Sequence, residues 1–149
     1  MAICDAKTVF ANNYNMSGHG TAGSTYVMGS TAWSGAIANG GVQIVDQEKA
    51  GDAVGQELTL KAVAAADIVG ASSTTTVQVK FETSDAIDSG WTELVSGPKY
   101  PVGTKCLAGT SLFECRIPAG AKRYLRASYT VGTANVTSGC ISVYATRDL

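Results

Sequence analysis

The sequence predicts an all-β domain, a jelly-roll or other Greek-key sandwich in which about eight antiparallel strands form two sheets. Three observations carry that expectation. Apolar and polar residues alternate with period two over five separate stretches. No window of twelve or more residues keeps apolar side chains at the spacing of a helix face. Gly, Ala, Ser and Thr fill 67 of the 149 positions, and Gly and Thr, with the frequent Val, make poor helix interiors.

The clearest strand is Thr75 to Glu82, where Val77, Val79 and Phe81 share one face and Gln78, Lys80 and Glu82 the other. Leu58, Leu60 and Ala62 alternate with Thr59 and Lys61, and Phe113, Cys115 and Ile117 alternate with Glu114 and Arg116. Tyr124 to Val131 sets Leu125, Ala127, Tyr129 and Val131 opposite Arg126, Ser128 and Thr130. Gly139 to Thr146 does the same with Ile141, Val143 and Ala145. Shorter candidates are Lys7 to Ala11, Ser24 to Met28, Val42 to Val45 and Trp91 to Val95, each bounded by Gly, Asn, Ser or Asp clusters that supply turns. Ala62 to Val69 reads equally as a short helical turn or an Ala-rich loop. The gaps from Val63 to Thr74 and from Val95 to Ser111 are too long for hairpins, and a chain that crosses between two sheets needs such spans.

One domain is expected over residues 1–149, long enough to bury roughly two-thirds of its unfolded surface. It carries an extended glycine-rich arm at 12–41, where Gly18, Gly20, Gly23, Gly29, Gly35, Gly40 and Gly41 alternate with small polar residues. Ordering such a segment costs about 1–2 kcal/mol of backbone entropy per residue and returns little burial, so contacts from a neighbouring subunit are expected to hold it.

The formal net charge of −1 gives no electrostatic reason to expect nucleic acid or an anionic membrane as partner. The apolar runs fall far short of the ~20 residues that span a bilayer. The first residues have neither a basic nor an apolar leader region, so synthesis and assembly in a cytosol is expected. Cys4, Cys106, Cys115 and Cys140 lack paired spacing and read as thiols in small apolar sites.

The residues for catalysis are sparse. His19 is the one histidine of the chain and lies between two glycines, where nothing in the sequence fixes an imidazole for general-base work. Asp46, Glu48 and Asp52 lack the ligand spacing of a calcium loop, and one His with four dispersed Cys makes no zinc pattern. Glu82, Asp85, Asp88 and Glu93 surround a turn whose composition is that of an ordinary strand connection. No phosphate-binding glycine motif occurs. The expectation is a protein that is not an enzyme, with no cofactor and no metal. The basic run Lys122-Arg123-Tyr124-Leu125-Arg126 reads either as a polar strand face or as guanidinium groups for a partner's carboxylates.

Residues 117–131, Ile-Pro-Ala-Gly-Ala-Lys-Arg-Tyr-Leu-Arg-Ala-Ser-Tyr-Thr-Val, resemble a stretch of the bacteriophage capsid cement, or decoration, proteins: a Pro-containing turn, then Arg-Tyr-Leu-Arg opening an alternating strand. Val77 to Asp85, ending in Thr-Ser-Asp, is similar to the strand that precedes it in that family, and Ala145-Thr146-Arg147-Asp148 fits its close. The resemblance covers about residues 55 to 148. Residues 12–41 depart from it in length and glycine content. It implies a jelly-roll subunit, a homotrimer without catalytic activity, seated on the outside of an icosahedral head over junctions of the major capsid protein. The expected partner contacts are Tyr26, Met28 and Trp33 on the arm, with Arg123 and Arg126 as a second face. The competing expectation is a carbohydrate- or receptor-binding jelly roll of a phage particle, with Trp33, Trp91 or Tyr100 stacking on sugar rings.

Overall fold

The computed structural model of the chain describes residues 9–28, 45–46, 59–86 and 89–146, and within them finds strands and turns without a helix. The strands are β1 (Val9–Asn15), β2 (Thr25–Val27), β3 (Val45–Asp46), β4 (Thr59–Gly70), β5 (Thr76–Ser84), β6 (Thr92–Ser96), β7 (Tyr100–Pro101), β8 (Ser111–Arg116), β9 (Tyr124–Gly132) and β10 (Val136–Thr146). They form a four-stranded sheet in the order β1-β10-β4-β8 and a six-stranded sheet built on β2-β9-β5-β6, with β3 also pairing β9 and β7 also pairing β5. Every pairing is antiparallel.

The count reduces to eight positions. β2 and β3 lie end to end along one edge of β9, and β6 and β7 share the other edge of β5 in the same way. The chain therefore alternates between sheets: β1, then β2 and β3 opposite, then β4, then β5 to β7 opposite, then β8, β9 and β10 in turn. That double Greek key is the jelly roll. The connections from β4 to β5 and from β7 to β8 both change sheets; the first is only residues 71–75, because β4 itself fills most of the gap expected there.

The inner face of the second sheet comes from strict alternation. Val77, Val79, Phe81 and Thr83 of β5 are buried, and the register sets them opposite Val131, Tyr129, Ala127 and Leu125 of β9, which are buried too. The first sheet answers with small side chains at its centre, Ala62 and Ala64 on β4 and Ala145 on β10, beside Leu60, Ile141 and Val143. Its edge strands supply the large ones. Phe10 of β1 and Phe113 of β8 reach Phe81 from either side, with ring centroids at 5.2 and 5.6 Å. Small residues over large ones let the two sheets interdigitate without voids.

Several expectations change. Ala62 to Val69 is neither a helical turn nor a loop but the body of β4, with Ala62, Ala64 and Ile68 buried. Burial still alternates along it, but valine and alanine occupy both faces from Val63 to Ala66, so polarity ceases to alternate after Ala62. Residues 12–15 continue β1 and Thr25–Val27 form β2, so the arm expected at 12–41 begins as sheet. Its remainder, 29–41, with Trp33, lies outside the described residues. β7 was not foreseen. Cys106 is buried, Cys115 and Cys140 are half-buried, and all three are free thiols.

Candidate partner-contact surface

Arg126 lies on the outer face of the second sheet, directly across from Glu82 on β5. Its Nε and Nη2 donate to Oε1 and Oε2 of Glu82, both at 3.3 Å, in the bidentate arrangement that suits a guanidinium. The same guanidinium lies 4.4 Å from the ring centre of Trp91, just ahead of β6. Arg126 is thus engaged within its own chain, by an internal ion pair and a ring contact. Arg123 differs. It is exposed at the entry to β9, with its guanidinium over the Tyr124 ring at 5.0 Å. The turn that carries it is tied down where Lys122 N–H donates to Thr83 Oγ1 at 2.7 Å, and Lys122 Nζ lies 3.6 Å from Asp85.

Met28 is fully buried in the core, so the expectation that it contacts a partner is corrected: a sulfur-bearing side chain with no exposed area packs within the domain. Tyr26 is half-buried on β2 and belongs to a circle of four rings. Tyr14, His19, Tyr26 and Tyr129 follow one another with centroid separations of 5.8, 5.5 and 5.5 Å, closed by 6.0 Å between Tyr129 and Tyr14. Thr21 N–H donates to the Tyr26 hydroxyl at 3.0 Å, and hydrogen bonding from Thr21 holds that phenol below the usual tyrosine value. The structure places His19 where spacing could not: its ring lies between Tyr14 and Tyr26, and its carbonyl accepts the Tyr129 hydroxyl at 2.7 Å. The contacts of Tyr129 join residues over a hundred positions apart, and no local pattern announces them.

Burial, with Tyr14 and Tyr26 nearby, pushes the Tyr129 phenol far above the ordinary tyrosine range. A folded value raised above the unfolded value of about 10 supplies stability that is intact below pH 10 and lost as pH rises beyond it. Unfolding by denaturant at pH 8 and pH 11 is expected to show that loss, and Tyr129→Phe to lessen it. At neutral pH the same change costs about 1 kcal/mol, for the missing bond to His19.

Of the aromatic residues proposed for sugar stacking, Trp91 and Tyr100 are not gathered into one platform, and Trp33 lies outside the described residues. Trp91 adjoins the Thr83 end of β5, whereas Tyr100 pairs with Val77 near its start, roughly 20 Å away at the rise of a strand. Of the four carboxylates around the turn, Glu82 is held by Arg126 and Asp85 by Lys122, Glu93 is exposed across from Glu82, and Asp88 lies outside the described residues.

Sequence reasoning passed over Leu107, in the connection between β7 and β8. Its side chain is 62% exposed, and no other large hydrophobic among the described residues is exposed. The connection extends the edge that β8 begins: Ile68 and Cys106 exchange backbone hydrogen bonds at 2.8 Å, and Gly109 N–H donates to the carbonyl of Ala64 at 2.7 Å.

The Bbp16 family model matches residues 28–145, most of the chain, and the chain therefore belongs to the Bbp16 family, whose name is phage-associated. No curated protein matches it.

Proposed function

We propose that this member of the Bbp16 family is a virion structural protein, a cement protein that binds the outer surface of an icosahedral phage head and bridges neighbouring major capsid subunits as a homotrimer. The observation that carries the reading is the match to a phage-associated family over a jelly-roll domain. The geometry agrees in kind: Glu82, Asp85 and His19 serve ion pairs and ring contacts. The energetics are those of mass action. A protein that binds the assembled shell alone stabilises it by about 2.7 kcal/mol per site at a hundredfold excess over Kd, and attachment through several copies raises the effective concentration of each further contact.

Electron microscopy of heads with and without the protein tests this. Added density over capsid junctions, with greater heat resistance of the shell, is the expected result; absence of the protein from purified virions overturns it. A native mass three times the 15.3 kDa of the chain is expected for the free protein.

A further inference from the structure

We infer that Leu107 is an anchor by which this chain seats on the head, entering an apolar pocket of a shell subunit about one side chain wide; the inference rests on the function proposed above. A single exposed leucine is ordinary on a protein surface. The turn beneath this one is what sets it apart. Thr110 holds the carbonyl of Leu107 twice, through Oγ1 at 2.7 Å and N–H at 3.2 Å. Ala108 N–H donates to Oδ1 of Asp67 at 2.8 Å, and Oδ2 of the same carboxylate lies 3.5 Å from Lys105 Nζ. Gly109 takes a positive φ of 88°, open to glycine without strain, and its N–H reaches back to β4. The backbone on both sides of Leu107 is therefore fixed while its side chain faces water. A loose loop would lose backbone entropy on binding; this one has lost it on folding, which is the preorganisation that favours an anchor residue.

The surroundings narrow the partner. Asp67 and Lys105 face each other, so the rim brings no uncompensated charge, and a neutral apolar pocket fits it better than a nucleic acid or an acidic peptide. The turn carries no aromatic ring for a sugar. A second copy meeting this one two-fold through the same turn would bury leucine on leucine between small residues, far short of the ~1,000 Å² a stable interface needs, and a trimer neighbour meeting the turn with another surface is the outcome that the self-association measurement below separates. A shell subunit with a pocket supplies what the turn lacks, and the repeated lattice makes a small contact sufficient.

The test uses heads of the phage encoding this chain, assembled without it, and co-sedimentation over a range of protein concentration. Leu107→Ala is expected to weaken binding about tenfold and Leu107→Asp about a hundredfold, with both variants melting like wild type because the side chain is exposed. Asp-variant binding within twofold of wild type, on heads that bind wild type, overturns the anchor and leaves the proposed function standing. Heads that fail to bind wild type overturn both. Self-association of wild type that Leu107→Asp abolishes would assign the turn to a copy of this chain, against the inference.

Discussion

Replacing Phe81 by alanine is expected to destabilise the fold by about 3–5 kcal/mol, the range for deleting a buried aromatic ring. Phe81 has no exposed area and lies at the centre of β5, between Phe10 from one edge of the facing sheet and Phe113 from the other. Removing it strips both rings of their shared neighbour. The neighbours are close-packed rings and branched side chains with little freedom to move into the space, so a cavity remains. Against a total stability of about 5–15 kcal/mol this is a large fraction, equivalent to roughly 10 °C or more in the melting temperature. Thermal and urea unfolding measure it. Phe81→Leu keeps most of the volume and is expected to lose less than half as much; equal losses would mean that ring contacts, not volume, hold the site.

Gly20→Ala is the second large effect, for the opposite reason. A Cβ at Gly20 would overlap the carbonyl oxygen of Val136 and lie 2.7 Å from its carbon, both backbone atoms at the start of β10. No side-chain rotation relieves that. The connection between β1 and β2 must lift away, and it is stitched there by Val136 N–H to the Gly20 carbonyl and by Ala22 N–H to Asn135 Oδ1, each at 2.8 Å. Overpacking of this kind costs about 1–3 kcal/mol, and each bond lost adds about 1, so some 3 kcal/mol is expected. Hydrogen exchange locates the effect: protection at the amides of Ala22 and Val136 should fall while that of β5 and β9 changes only with global stability. Uniform loss across the sheets would show that the close approach does not act locally.

Much of this architecture is written in alternation. β5, β8, β9 and β10 declared themselves because period two puts a whole apolar set on one face, and a slip by one residue would turn that set to water. β4 beyond Ala62 did not, since alanine has little preference for strands and occupies both of its faces there; pairing with β10 on one side and with β8 and the turn before it on the other makes it a strand. The contact surface was less legible. Arg126 looks like a free cation in the sequence because its partner Glu82 is on a strand 44 residues away. Met28 resembles an arm residue because nothing local shows that it enters the core. Leu107 lacks any motif, and its standing comes from the braces at Asp67 and Thr110.

Sequence by itself determined the class of the fold and its two-layer nature, because these depend on local polarity; that the chain changes sheets within residues 71–75 was decided by strand pairing. Tertiary structure decided which side chains remain available to a partner. Availability is what is left after long-range pairing and burial have taken their share: Glu82 and Trp91 take Arg126, the core takes Met28, and Leu107 stays out in water on a turn that cannot fold away.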